Sequence, residues 1–176
     1  ISATQEGLDG VGFGSFLIKR VVDHLSRDHK QLKYFATLSP IPGFNRWLTD
    51  QRSLSAESQH PRVQNGLRAL GELGALDRMF VDRSWLRNEI ATTRARQALT
   101  VLAAHYLARE KRDNSARDRV ANFHLNNGAS IARINFPADL SRRGQKQSAG
   151  MMVNYRSTLK DIESNHESYH DQGKIE

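Results

Sequence analysis

A glycine-rich segment near the start of the chain has a spacing suited to anion binding. Its members are Asp9, Gly10, Val11, Gly12, Phe13, Gly14 and Ser15. Glycines let backbone N–H groups approach an anion closely, and the helix predicted just behind them adds a partial positive charge at its N-terminus. The expected ligand is a pyrophosphate, and the alternative is a purely structural turn.

The spacing of these glycines distinguishes between the known classes of phosphate-binding loop. A P-loop is excluded because no Gly-Lys-Ser/Thr follows the glycines. Gly10 and Gly12 fit the first two positions of a dinucleotide fingerprint, but its last glycine position is occupied by Ser15, and no full βαβ unit is evident. A shorter loop of the acyl-coenzyme-A type, with glycines at Gly12 and Gly14, is the remaining candidate.

Ser39 is the second candidate, because it ends a predicted strand and precedes two prolines, Pro40 and Pro42. Prolines restrict the backbone, so the hydroxyl can be held in one direction.

His124 is the third candidate. It lies between Phe123 and Leu125 in a predicted strand, so that it would face a cleft while its neighbours enter the core. Histidine moves protons near neutral pH. The alternatives are a buried turn serine and a structural histidine.

A fourth group of polar residues and glycines is a candidate set of phosphate contacts or a solvated basic loop. It consists of Arg133, Asn135, Asp139, Ser141, Arg142, Arg143, Gly144 and Gly150. Metal binding is not indicated, because His166 and His170, four residues apart, lack a convincing third ligand. The absence of cysteine excludes thiolate zinc sites and thiol catalysis.

Hydrophobic periodicity predicts the elements that would position these residues. We expect helices over 15–25, 63–76 and 83–111, a strand over 32–38, a charged linker over 109–119, a hairpin of strands 120–125 and 129–136, and a basic loop over 141–150. The hairpin would turn at Asn126-Asn127-Gly128. Residues 151–162 fit a strand or a helix start, and the last dozen residues look frayed.

Length and composition limit the classes of protein. The 176 residues, with 38% hydrophobic and 26% charged residues, suit about one domain. No apolar run approaches the roughly 20 residues of a membrane span. The net charge of +7 favours anionic partners, either nucleic acid or a phosphorylated ligand. The chain starts at Ile1 without an initiator methionine, so we expect a fragment or a processed chain.

Taken together, these segments resemble the malonyl-CoA decarboxylase family. The resemblance covers residues 1–48 and about 98–176, and SPIPGF and NFHLNNGA are its most unusual strings. The matching stretches, in order, are ISATQEGLDGVGFGSFLIKRVV, FATLSPIPGFNRWL, VANFHLNNGASIARINFPADLSRRG, GMMVNYR and SYHDQGKIE. The chain as a whole, 1–176, would be a partial catalytic domain with a mostly helical insertion over 51–118.

The resemblance implies an α/β (α+β) fold of the acetyltransferase-like GNAT type, a mixed sheet with flanking helices, incomplete at its N-terminal side. It implies conversion of malonyl-CoA to acetyl-CoA and carbon dioxide without metal or organic cofactor. Coenzyme A would be bound by the loop from Asp9 to Ser15, and the catalytic pair would be Ser39 and His124. Some members carry a carboxylate where this chain has Gly12, and some a tyrosine where it has Ser157.

The chemistry of that reaction suits the two residues. Loss of carbon dioxide from a malonyl thioester leaves an enolate, which must be stabilised and then protonated on its α-carbon. A histidine with a pKa near neutral would donate the proton, and Ser39 would orient the departing carboxylate or share the proton relay. No G-x-S-x-G nucleophile elbow occurs.

Further expectations concern partners and location. The full-length family protein is expected to form a homo-oligomer, with a helical N-terminal domain that is absent here, and to bind neither nucleic acid nor membrane. We expect a cytoplasmic location, and low stability and weak turnover for these 176 residues alone. The alternatives are a GNAT-type acyltransferase, an inactive fragment that only binds coenzyme A, and a basic nucleic-acid-binding module.

Overall fold

A computed structural model describes residues 13–73, 86–158 and 160–176. The described chain contains seven α-helices and five strands. The helices are α1 (Phe13–Asp28), α2 (Phe44–Arg52), α3 (Pro61–Glu72), α4 (Glu89–Arg109), α5 (Arg119–Asn126), α6 (Arg142–Ser148) and α7 (Ile162–Gln172). The strands are β1 (Phe35–Pro40), β2 (Lys111–Arg112), β3 (Ser115–Ala116), β4 (Ser130–Asn135) and β5 (Met152–Ser157).

The main sheet of the described residues has three antiparallel strands in the order β1-β5-β4. Its central strand, β5, pairs Tyr155 with Thr37 of β1 and Val153 with Ser39. Because side chains alternate along a strand, Thr37, Ser39, Val153 and Tyr155 share one face. Strands β2 and β3 form a separate two-stranded hairpin.

Helices α2, α3 and α4 form the helical part of the core. Their apolar faces bring together Phe44, Trp47 and Tyr106, whose ring centroids lie 5.3 to 5.9 Å apart. All three side chains are at most 2% exposed. Aromatic rings bury large areas, so this cluster anchors α2, which follows directly on β1.

The expected mixture of helices and strands is confirmed. Helices α1, α3 and α4 occupy the segments predicted as helices before residue 110, and residues 74–76 and 83–85 of those predictions lie outside the described residues. The strand predicted over 32–38 is β1, which begins later and extends through Ser39 and Pro40. The GNAT-like arrangement stays a prediction. The predicted hairpin around Asn126-Asn127-Gly128 is wrong, because residues 119–126 form α5 and only the second arm, β4, is a strand. Asp118 is the reason: its carboxylate accepts hydrogen bonds from the first free N–H groups and starts a helix.

Three further segments differ from the expectation. The basic loop over 141–150 contains α6, which Ser141 caps by accepting a hydrogen bond from the N–H of Gly144. The charged linker contains the β2–β3 hairpin, and the expected frayed tail forms α7. Helix α7 is held by Tyr169, which is 3% exposed and whose hydroxyl accepts from the N–H of Ala116 at 2.6 Å.

Close packing between α3 and α4 generates a stability prediction. A Cβ on Gly66 would lie 2.7 Å from Cγ of Leu102, whereas a Cβ on Gly71 would meet nothing within 4 Å. We expect Gly66→Ala to lower the free energy of unfolding by about 1–3 kcal/mol through overpacking. Gly71→Ala should raise it by up to about 1 kcal/mol, because alanine is the better helix former. Urea denaturation measures both, and equal effects of the two substitutions would contradict the packing described.

Candidate functional site

Strand β1 presents Ser39 at its C-terminal end. The side chain is 7% exposed, and the next peptide is held because the N–H of Ile41 donates to Oγ of Ser148 at 2.9 Å. The prolines that flank Ile41 limit the backbone further. The backbone just after Ser39 is therefore held in place at the end of the strand.

His124 reaches the site from helix α5. Oδ1 of Asp118, the N-cap, accepts from the N–H groups of Val120 and Ala121, both at 3.0 Å, and Oδ2 accepts from the N–H of Gly43 at 3.4 Å. One carboxylate thus ties the start of α5 to the loop that follows Ser39. Asp118 is 2% exposed, and burial raises its pKa despite these hydrogen bonds.

The structure brings Ser39 and His124 together across 85 residues of sequence. Oγ of Ser39 lies 3.1 Å from Nε2 of His124 and also 3.1 Å from Oγ1 of Thr37, to which it can donate. The imidazole of His124 stacks on the ring of Tyr155, with centroids 4.4 Å apart and planes 18° from parallel. Phe123 meets the imidazole edge-on at 5.1 Å.

Thr37 and His124 line a cleft of about 210 Å³. Helix α1 forms one wall, and the sheet forms the other together with the end of α5 and the start of α7. The lining residues are Ile18, Lys19, Val22, Asp23, Thr37, His124, Asn127, Ala129, Ser157 and Ile162. Four of these residues are apolar, the hydroxyl, imidazole and amide groups lie opposite α1, and the charged side chains Lys19 and Asp23 lie on α1 itself.

Burial controls the protonation of the site. Desolvation lowers the pKa of His124 to about 4, so the imidazole is neutral between about pH 5 and 8 when the cleft holds no anion. Burial also raises the pKa of Tyr155 far above its usual value, so that the ring beneath the imidazole stays neutral. The sequence-based expectation of a near-neutral pKa for His124 is therefore wrong for the empty cleft.

Comparison with known proteins identifies the family. The model of the malonyl-CoA decarboxylase C-terminal domain matches residues 1–176. The chain belongs to this family.

Two malonyl-CoA decarboxylases described as mitochondrial are among its relatives. The protein from Mus musculus is 40% identical over 178 residues, and that from Anser anser anser is 39% identical over 179. Both matches cover 96% of this chain, and they cover 36% and 35% of those proteins. The chain therefore spans about a third of the length of these relatives.

Solved structures of the family have the same fold. The malonyl-CoA decarboxylase of Agrobacterium vitis matches with a TM-score of 0.82 and 41% identity, covering 99% of this chain and 41% of that one. The enzyme of Rhodopseudomonas palustris matches with a TM-score of 0.81 and 39% identity, covering 99% and 38%. The likeness therefore extends over nearly the whole of this decarboxylase-family chain.

The glycine-rich segment lies partly outside the described residues. Asp9, Gly10, Val11 and Gly12 are not described, whereas Phe13, Gly14 and Ser15 form the first turn of α1. Ser15 is thus inside the helix rather than at its N-cap. The coenzyme A contacts expected of this segment in a malonyl-CoA decarboxylase domain stay a prediction.

Polar residues of the fourth candidate group form hydrogen bonds within the chain. Oδ1 of Asp139 accepts from the N–H of Ser141, and Nδ2 of Asn135 donates to Oδ1 of Asn154 at 2.8 Å. A Cβ on Gly144 would run into Asp139, so this turn is tightly closed. None of the group lines the described cleft, and their phosphate contacts stay a prediction.

Sequence reasoning missed Thr37, Tyr155 and Asn127 as members of the site. The alternation of β1 contained the signal for Thr37, which lies two residues before Ser39 and hence on the same face.

Within the three described ranges, no group of three His, Asp or Glu side chains is arranged to hold a metal ion. A search of the same ranges finds no helix with the length and apolarity of a membrane span.

Asp118 provides a test of how the site is positioned. Asp118→Ala removes all three acceptor contacts, and we expect it to lower the free energy of unfolding by about 2 kcal/mol. Asp118→Asn keeps an oxygen for the helix cap but turns an N–H group toward Gly43, so its loss should be smaller. In chemical denaturation, the free energy of unfolding should decrease in the order wild type, Asp118→Asn, Asp118→Ala. An Ala variant as stable as the Asn variant would show that the carboxylate does not hold α5.

The lowered pKa of His124 predicts a pH dependence of stability. Between about pH 6.5 and 4 the histidine of the unfolded chain binds a proton that folded His124 does not bind. The free energy of unfolding should therefore fall as pH decreases through this range. His124→Asn should flatten that fall, while the other titrating groups contribute equally to both proteins. Denaturation at pH 4, 5 and 6.5 measures the difference, and parallel curves would contradict a buried, neutral His124.

Proposed function

We propose that this chain carries the site at which malonyl-CoA loses carbon dioxide to give acetyl-CoA. The contact between Ser39 and His124, of which His124 lines the cleft, carries the proposal, because a hydroxyl and an imidazole in contact are groups suited to proton transfer beside a space of malonyl size. The relatives named malonyl-CoA decarboxylase support the choice of substrate. Since the chain covers about a third of those relatives, the activity of the whole protein is part of the proposal.

The apolar part of the cleft favours the bond cleavage. A carboxylate moved beside Ile18, Val22 and Ile162 loses hydration, whereas the carbon dioxide formed from it carries no charge. The electron pair of the breaking C–C bond moves into the thioester and leaves an enolate. The charge thus shifts from the carboxylate to the thioester oxygen, where hydrogen-bond donors stabilise it.

His124 supplies the proton that completes the reaction. Its neutral state in the empty cleft follows from desolvation, and an anion bound within a few ångströms raises a histidine pKa. Binding of the anionic malonyl group therefore makes protonation of His124 more favourable, and the imidazolium protonates the α-carbon of the enolate. The imidazole takes that proton from solvent and is neutral again after the transfer, so that one proton is consumed for each carbon dioxide released.

Ser39 acts with His124. Its hydroxyl lies 3.1 Å from Nε2, close enough to share the proton relay between the imidazolium and the substrate, or it orients the departing carboxylate. Helix α1, which follows the glycine-rich segment, lines the cleft through Ile18 and Val22, and this supports a coenzyme A diphosphate next to that segment. The proposed reaction uses no metal or organic cofactor.

Assembly and location belong to the proposal as well. We expect a homo-oligomer in the full-length protein, with malonyl-CoA and acetyl-CoA as its small-molecule partners and no nucleic acid. The cytoplasmic location expected from the sequence remains a prediction, and the two animal relatives are described as mitochondrial.

Replacement of His124 tests the proposed function. His124→Asn keeps a polar side chain but cannot carry the proton, so carbon dioxide release from malonyl-CoA should fall by about 100-fold or more. Binding of coenzyme A, measured by calorimetry, should remain within about twofold, because the diphosphate is held elsewhere. Both measurements use this chain and, in parallel, a full-length relative with the equivalent change.

The products separate the proposal from its alternatives. Acetyl-CoA formed from malonyl-CoA in equal amount to the carbon dioxide supports a decarboxylase. Free coenzyme A formed from acetyl-CoA and an amine would indicate an acyltransferase. Full carbon dioxide release by His124→Asn in the full-length relative would contradict the role of the histidine.

A further inference from the structure

The hydroxyl of Thr37 joins the catalytic pair in the geometry of the site. Oγ of Ser39 lies at 3.1 Å both from Oγ1 of Thr37 and from Nε2 of His124. We propose that Thr37 is a positioning residue that accepts a hydrogen bond from the Ser39 hydroxyl and so makes Ser39 the acceptor in its contact with His124. This inference rests on the proposed function and adds a third member to its site.

The count of hydrogens makes the proposal specific. A serine hydroxyl has one hydrogen and can donate it to only one of its two neighbours. If Ser39 donates to Thr37, then Ser39 is an acceptor toward His124, and Nε2 must carry the imidazole hydrogen. If Thr37 cannot accept, Ser39 is free to donate to Nε2, and the neutral imidazole adopts the other tautomer. Thr37 therefore selects the tautomer of His124.

The sheet holds Thr37 in place for this function. Thr37 is paired with Tyr155 across the β1–β5 ladder, and Nδ2 of Asn154 donates to its carbonyl at 2.9 Å. The ring of Tyr155 in turn supports the imidazole of His124. Thr37 and Ser39 thus stand on one strand, β1, and His124 stands on helix α5 against a ring of the adjacent strand, so none of the three lies in a loop.

The same tautomer suits the proposed reaction. Thr37 and His124 line the cleft, and Oγ of Ser39 lies 3.1 Å from a polar atom of each. In the imidazolium formed when substrate binds, the Nε2 proton passes to Oγ while the Ser39 hydroxyl gives its own proton to the α-carbon, which leaves a neutral imidazole and an intact hydroxyl. A Ser39 hydroxyl turned toward Nε2 would have to reorient before it could accept this proton, and the acceptor at Thr37 removes that step.

A matched pair of substitutions tests the role of Thr37 in turnover. Thr37→Val keeps the shape but removes the hydroxyl, and Thr37→Ser keeps the hydroxyl but removes the methyl group. In a full-length relative with the equivalent residues, we expect the Val change to lower kcat about tenfold, as for the loss of one hydrogen bond, with KM changed less than about twofold. The Ser change should retain nearly full kcat, and equal losses in both variants would overturn the proposal.

A second measurement on this chain does not depend on turnover. Nitrogen NMR of labelled histidine reports which ring nitrogen of His124 carries hydrogen. We expect the Nε2–H tautomer in the unmodified chain and in Thr37→Ser, and a shift toward Nδ1–H in Thr37→Val. Identical spectra in all three proteins would overturn the proposal. Absence of carbon dioxide release with the expected spectra would contradict the proposed function alone.

Discussion

The stacking of His124 on Tyr155 is the contact on which the arrangement of the site depends. It joins helix α5 to the central strand of the sheet at a centroid distance of 4.4 Å. Because β5 also pairs with β1, the strand that supports the imidazole is the one that sets the position of Ser39. Burial on this ring explains both the short approach of the two side chains and the depressed pKa of the imidazole.

A buried carboxylate reinforces this arrangement from the opposite side. Asp118 accepts from backbone groups on both segments that carry the pair, so movement of α5 relative to the loop at Gly43 would break hydrogen bonds in a dry environment. Aromatic packing of Phe44 and Trp47 fixes the same loop. The fixed geometry suits a reaction in which preorganised donors stabilise a developing charge.

Much of this site could be predicted from sequence, since local patterns specify the strand before Pro40 and the helix over 89–109. The helix that carries His124 could not, because the Asn-Gly dipeptide is a strong hairpin signal and the competing signal is a single buried cap at Asp118. The helix over 142–148, within the predicted basic loop, is also difficult to predict, because it is short and its main signal is a single cap at Ser141. Thr37 shares the face of Ser39 by the alternation of one strand, whereas Tyr155 joins the site only through pairing between distant strands, which one-dimensional spacing does not encode.

Gly128 lies between α5 and β4 with a φ of 73°, and a Cβ there would collide with the carbonyl of Ile162. Since Ile162 also lines the cleft, the absence of one methyl group lets the first turn of α7 close that end of the cleft. A larger residue at position 128 would push this turn outward and widen the cleft without touching Thr37, Ser39 or His124, at a cost in stability set by the positive φ.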